Sequence, residues 1–241
     1  MFDAKKETNK IINFIRNYYQ KNNLKGVVIG ISGGKDSAVV AALFVKALGK
    51  ENVIGLSMPC HSNNKDMLDA KIISDYYGFT LYNIDLTETF DVMKKSFNIK
   101  STKDSDINLK PRLRMATLYY YARALSTRGT YLVAGTGNKC EIFAGYFTKG
   151  GDGQSDINVL ATYTVSEVIK IGKYLSVPKE ILYKVPSDGL SSLSDEDKLG
   201  VTYQEIEDYL NGKQIKEKSK IKIEHLHKNS KHKNRVVTLW N

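Results

Sequence analysis

Eight residues, Gly30-Ile31-Ser32-Gly33-Gly34-Lys35-Asp36-Ser37, carry the densest chemistry in this 241-residue chain. Backbone N–H groups in a glycine-rich turn that opens a helix form a cradle for an anion. Gly33 and Gly34 allow a tight turn and a close approach to phosphate. Ser32 and Ser37 add hydroxyl donors. Asp36 is the odd member, because a carboxylate repels phosphate. It makes sense where a divalent cation stands between the two. The spacing is not that of the Walker loop, which needs Gly, Lys and Ser or Thr in sequence at 35, 36 and 37.

Elements must hold this turn in place. Val27-Val28-Ile29 before it is a short β-branched run, and Ala38 to Leu48 after it is apolar and long enough for a helix. Upstream, Ile11, Phe14, Ile15, Tyr18 and Tyr19 trace one face of a helix over residues 4 to 21. Val53 to Met58 reads as a second strand and Leu81 to Leu86 as a third. Lys65 to Tyr77 is a helix closed by Gly78. Glu88 to Phe97 is helical. Ile99 to Lys110 reads as a polar surface loop able to cover a ligand, with Pro111 at the start of the next helix. Tyr131 to Ala134 is a fourth strand. Thr164-Val165-Ser166-Glu167 and Thr202-Tyr203-Gln204-Glu205 are capping boxes. Alternating strands and helices predict an α/β fold with a doubly wound parallel sheet flanked by helices.

Composition narrows the classes. No apolar run approaches the roughly 20 residues that span a bilayer, and the charged N-terminus carries no signal-peptide pattern. Cys60 and Cys140 form no CxxC pair, which fits a reducing, cytoplasmic setting. Cys60 and His61 are neighbours on an extended segment and point apart, so they do not make a nucleophile pair. The net charge is +10, and from Lys213 onward nine Lys or Arg face two Glu. Such a tail suits a phosphate-rich small substrate or a solvated face better than nucleic acid. One domain is expected over 1–241, with 212–241 as its basic C-terminal tail.

Six further segments agree on one family. Ser-Gly-Gly-Lys-Asp-Ser at 32 to 37 resembles the PP-loop of the N-type ATP pyrophosphatases, an adenine nucleotide alpha hydrolase-like fold. Lys-Pro-Arg-Leu-Arg-Met at 110 to 115, Gly-Thr-Gly-Asn-Lys at 135 to 139, Phe-Thr-Lys-Gly-Gly-Asp-Gly at 147 to 153, Pro-Ser-Asp-Gly-Leu at 186 to 190 and Asp195-Glu196-Asp197 follow. With the closing Ser230-Lys231-His232-Lys233, this ordered set resembles NAD synthetase, in its ammonia-dependent form without a glutaminase domain.

The resemblance implies a C–N bond-forming ligase. ATP activates the nicotinate carboxylate of deamido-NAD as an adenylate, and ammonia then displaces AMP. It implies Mg²⁺ as cofactor, ATP as co-substrate and a homodimer, with no membrane partner. Residue by residue, it places Gly30, Ile31, Ser32, Gly33, Gly34, Lys35, Asp36, Ser37, Thr136 and Ser187 on ATP. Asp36 and Glu141 fall on the metal. Arg112, Lys149, Asp156, His232 and Lys233 fall on deamido-NAD. Asp36 and Asp152 are the catalytic candidates, with Asp152 positioning ammonia or taking a proton from ammonium.

Two departures stand out. Val165 occupies the place of a lysine that touches ATP in many members, with Lys170 or Lys173 as candidate substitutes. Asn234 also stands where the closing motif usually has Arg. The first helix's aromatic stripe and the 111–125 helix are candidates for a dimer interface. Loops at 99–110 and 188–198 are candidates for closure over an acyl-adenylate, which must be kept from water. Two rival readings remain: a PP-loop enzyme adenylating another acceptor such as tRNA, and a nucleotide-binding module without catalysis.

Overall fold

A computed structural model describes residues 2–62, 64–184 and 194–234. In chain order the elements are α1 (Ala4–Lys21), β1 (Leu24–Gly30), α2 (Lys35–Leu48), β2 (Val53–Ser57), α3 (Asn64–Tyr77), β3 (Thr80–Asn83), α4 (Thr87–Ser96), α5 (Lys103–Leu125), β4 (Thr130–Gly135) and α6 (Lys139–Ala144). They continue with β5 (Ile157–Asn158), α7 (Val165–Tyr174), α8 (Lys179–Leu182), α9 (Asp195–Leu199), α10 (Tyr203–Leu210) and α11 (Glu217–Ser230).

The strands form one sheet in the order β3-β2-β1-β4-β5, and each neighbouring pair is parallel. The doubly wound expectation is met. Chain direction across the sheet reverses at β1, so β1 and β4 splay their following loops apart there. This is the crevice where open α/β sheets bind ligands.

Side-chain alternation distributes β1 between two cores. Val27 and Ile29 join α1, α2 and α7 on one face, while Val28 joins Phe90 of α4 and Ala122 of α5 on the other. β2 is buried along its whole length, as a strand covered on both faces must be. A third cluster joins α6, α9, α10 and α11 through Cys140, Leu199, Ile206 and Ile223. It builds a flank beside the crevice.

Gly55 in β2 fixes how closely the layers meet. A Cβ there would stand 2.7 Å from Phe79 Cε2 and 2.9 Å from Ile31 Cγ1. Ile31 lies in the glycine-rich turn itself. Gly55→Ala is therefore expected to cost about 1–3 kcal/mol in urea denaturation through overpacking. Wild-type stability in that variant would show that the layers yield freely.

The structure corrects two expectations. Lys103 to Lys110 is helical, and Pro111 lies inside α5 instead of opening it. Thr102 explains the earlier start: its Oγ1 accepts the Ser105 N–H at 3.1 Å, and Ser105 Oγ closes the box on the Thr102 N–H at 2.9 Å. The basic tail also holds a regular helix, α11, which buries Ile223. Among the described residues, no helix is long and apolar enough to cross a membrane.

Candidate active site

The turn after β1 is shaped by its own hydroxyls. Ser37 Oγ donates to the Gly34 carbonyl at 3.0 Å, while the Ser32 N–H donates to Ser37 Oγ at 3.3 Å. Gly33 has φ +77°, and a Cβ there would fall 2.7 Å from the Asp66 carbonyl oxygen of α3. Glycine is needed on both counts. Gly34 is the N-cap of α2 without a side-chain cap, which leaves the first-turn N–H groups facing the crevice.

A cavity of about 400 Å³ opens above this turn. Gly30, Ile31, Ser32, Gly34, Lys35, Asp36 and Ser37 line it from β1 and α2. Thr136 lines it from the β4–α6 connection, Glu141 from the first turn of α6, and Asp152 from the glycine-rich loop at 147–153. Gly33 packs behind the turn against α3. Ser187 lies outside the described residues.

Asn138 ties the two metal candidates together. Fully buried, it caps α6 by accepting the Cys140 and Glu141 N–H groups at 3.0 and 3.1 Å. Its Nδ2 donates to Asp36 Oδ1 at 3.2 Å, and its own N–H donates to Glu141 Oε2 at 2.9 Å. One residue thus sets both carboxylates toward the same space. Burial, then the Asp36 charge, pushes the Glu141 carboxyl well above its usual range. Two hard oxygen ligands that repel each other beside an anion-binding turn suit a magnesium-like cation. Among the described residues no group of three potential metal ligands stands together, so nucleotide phosphates and water would supply the rest of the shell.

A cation meets this cluster. Lys35 is buried, with Nζ 3.1 Å from Asp36 Oδ2. Burial opposes its charge, but Asp36 and Glu141 outweigh that and hold the ammonium above its ordinary value. Arg114 and Lys184 also line the cavity. Arg114 Nε donates to the Met58 carbonyl at 3.0 Å. Lys184 reaches Asp66 and Asp69 of α3 at 2.8 and 2.6 Å.

The two substitutes considered for the lysine whose place Val165 takes lie over aromatic rings. Lys170 lies over the Phe2 ring and Lys173 over the Tyr183 ring, and neither lines the cavity. Val165 packs with the third core cluster.

The remaining candidates form a chain of contacts beside the cavity. Arg112 Nε donates to the Lys149 carbonyl at 3.3 Å, and Lys149 Nζ to the His232 carbonyl at 2.9 Å. Lys233 Nζ donates to the carbonyls of Gly145 and Phe147 at 2.7 and 2.8 Å. These bonds join α5, the glycine loop and the C-terminal segment. Asp156 anchors the loop's far end: its Oδ2 accepts the Val133 N–H at 2.8 Å, and its Oδ1 accepts from Tyr119 at 3.2 Å.

Asp152 sits at the cavity mouth, where Oδ1 accepts the Thr148 N–H at 2.8 Å. Its carboxylate is exposed to the cleft, yet surrounding protein thins its hydration. That pushes its carboxyl above the ordinary range, against the Thr148 N–H and the nearby Arg114 and Lys233 charges.

Cys60 and His61 stay apart, as expected. The Cys60 thiol is buried 3.7 Å from the Leu86 carbonyl, while His61 Nε2 meets Asp91 at 3.0 Å.

Sequence reasoning missed Asn138 and Lys184 as site residues. Asn138 was legible as an N-cap before Cys140 and Glu141, but its reach to Asp36 spans 102 positions of chain. Lys184 carried no local signal.

A parallel sheet with an SGGKDS turn and a carboxylate pair at its switch point defines a nucleotide-binding α/β protein of the PP-loop kind. Comparison with known proteins sharpens this. The family model described as NAD synthase matches residues 7–238, and the chain belongs to that family.

An NH(3)-dependent NAD(+) synthetase from Finegoldia magna is 41% identical over 225 residues, 93% of this chain and 91% of the relative. A solved NMN synthetase from Francisella tularensis covers 100% of both chains with TM-score 0.94 and 38% identity. A solved NH3-dependent NAD synthetase from Campylobacter jejuni covers 100% of both with TM-score 0.82 and 28% identity.

Proposed function

We propose that the cavity between β1 and β4 carries out the ammonia-dependent synthesis of NAD, with the residues assigned as follows. The protein is a ligase. It uses ATP to activate the carboxylate of deamido-NAD and forms a C–N bond with ammonia. One observation carries the assignment of residues: a phosphate cradle, a carboxylate pair and Asp152 line a single cavity in a chain of the NAD synthase family.

In the first step an oxygen of the nicotinate carboxylate attacks the α-phosphorus of ATP, and pyrophosphate leaves. Gly30 to Ser37 and Thr136 hold the triphosphate through N–H and hydroxyl donors. Asp36 and Glu141 would hold Mg²⁺, which when bound would supply positive charge against the triphosphate. Lys35 and Arg114 bring positive charge to the cleft, whereas the Lys184 ammonium is taken up by Asp66 and Asp69. Arg112, Lys149, Asp156, His232 and Lys233 form the acceptor side, with Ser187 on ATP. In the second step ammonia attacks the acyl carbon, one proton leaves nitrogen, and AMP departs with one former carboxylate oxygen. Asp152 receives that proton, or takes the one that frees ammonia from ammonium.

The protein works as a cytoplasmic homodimer in this reading. Phe14 and Tyr18 of α1 stack with centroids 5.9 Å apart on an exposed face, and Tyr120 of α5 is exposed as well. These are the aromatic surfaces that dimerisation would cover. The chain acts as one domain over 1–241, with its basic end folded back toward the glycine loop through Lys233.

A second reading of the acceptor has a specific observation behind it. Similarity is tighter to the F. tularensis NMN synthetase than to the C. jejuni enzyme, with TM-scores of 0.94 and 0.82. Making NMN by the same chemistry amidates nicotinate mononucleotide, which presents the same carboxylate without the adenylate half. Pyrophosphate release with ATP, Mg²⁺ and ammonium separates the readings. The main reading expects a higher kcat/KM with deamido-NAD than with nicotinate mononucleotide. Preference for the mononucleotide reassigns the acceptor. Release that needs neither, but follows added tRNA, overturns the assignment.

A further inference from the structure

Lys35 enters the glycine-rich turn as one backbone position, but its side chain has its own place. It turns inward from the first residue of α2 and is only 7% exposed. Its Nζ meets Asp36 Oδ2 at 3.1 Å and stands 5.9 Å from the centre of the Tyr203 ring. Glu141 and Asp195 add their fields to it. Asp36 uses its other oxygen, Oδ1, for Asn138 at 3.2 Å. One face of the Asp36 carboxylate is therefore held by a fixed neutral donor and the other by a cation on a flexible stem.

Carboxylates gathered in a partly buried pocket are costly without positive charge nearby. An ammonium and a divalent cation on the same carboxylate oxygen repel each other strongly at contact distance. Lysine's four-carbon stem allows the ammonium to move while its Cα stays in α2.

We propose that the Lys35 ammonium is the resident counter-ion of the Asp36–Glu141 pair, and that an entering divalent cation displaces it from Asp36 toward the triphosphate. This rests on the reading that the pair holds the metal.

The consequence is thermodynamic. In the nucleotide-free protein Lys35 and the cation compete for Asp36. Once a triphosphate is present, the displaced ammonium has a new anionic partner and the competition is relieved. Metal and ATP then bind cooperatively, each strengthening the other by the same factor. Lys35 acts here as a positioning residue for Asp36 and as a gate on metal entry.

Mn²⁺ binding followed by electron paramagnetic resonance tests this without turnover. Nucleotide-free Lys35→Gln is expected to bind Mn²⁺ about tenfold more tightly than wild type, because the competing charge is gone. With a non-hydrolysable ATP analogue present, that advantage is expected to shrink or reverse. Unchanged or weaker Mn²⁺ binding by nucleotide-free Lys35→Gln overturns the inference.

Asp36→Asn separates the two layers of the argument. If it abolishes Mn²⁺ binding in wild-type background, the carboxylate site stands and the Lys35 comparison decides. Mn²⁺ binding indifferent to Asp36→Asn overturns the metal reading and this inference with it. Should Lys35→Gln fail to fold in chelator, recovery of its melting transition on Mn²⁺ addition supports the role. Failure to recover with Mn²⁺, in Lys35→Met as well, overturns it.

Discussion

Asp36→Asn is expected to lower kcat roughly a thousandfold while the protein keeps its fold. The substitution keeps the shape of the side chain and an acceptor oxygen for Asn138 Nδ2, now 3.2 Å from Asp36 Oδ1. What disappears is one negative charge. That charge pairs with Lys35 and, in the proposed site, with the metal. Adenylation suffers because pyrophosphate must leave a site whose positive charge is no longer anchored. Steady-state pyrophosphate release gives the rate, and thermal melting checks the fold. A variant with near-wild-type kcat would remove Asp36 from the reaction.

Asp152→Asn is expected to lower the amidation rate about a hundredfold at neutral pH, with a smaller effect on adenylation. Asparagine still accepts the Thr148 N–H, so the glycine loop keeps its anchor. The sign of the pH dependence follows from the shift. The Asp152 carboxyl is raised above the ordinary aspartate range by thinned hydration. Its base form is therefore lost as pH falls through that raised value. Wild-type amidation should show an acid limb above the ordinary aspartate range. In Asp152→Asn that limb should vanish, and the rate should climb with pH in proportion to free ammonia. Full activity across ammonium concentration and pH would exclude a proton-transfer role for Asp152.

Local signals made most of the framework legible. Val27 to Ile29 and Val53 to Met58 are compact apolar runs, and β1 and β2 occupy them because both faces of the sheet are covered. Thr164 and Thr202 each precede a helix with glutamate three residues on; the Thr202 box closes in both directions, while at Thr164 the glutamate half forms, with the Thr164 N–H donating to Glu167 Oε2 at 2.9 Å. The turn at 30–37 was legible because glycine, hydroxyl and carboxylate together have little purpose outside phosphate chemistry.

Failures arose where distant contacts override local preference. Pro111 reads as a helix start because it lacks an N–H. Inside α5 it instead faces the glycine loop, where a Cβ on Gly151 would lie 2.9 Å from Pro111 Cβ. In the tail, Ile223 is the buried contact, while Ile221 is exposed. Lysines on either side hide that stripe in the sequence. Within the site, Lys184 meets α3 across more than a hundred residues, and no spacing rule reports such a pairing.

The most direct test of the central claim follows an oxygen atom. Deamido-NAD labelled with ¹⁸O in its nicotinate carboxylate is turned over with ATP, Mg²⁺ and ammonium, and the AMP is analysed by mass spectrometry. Attack of the carboxylate on the α-phosphorus predicts one labelled oxygen in the AMP phosphate and one retained in the product amide. Unlabelled AMP, or ADP and phosphate as products, would contradict the adenylate route.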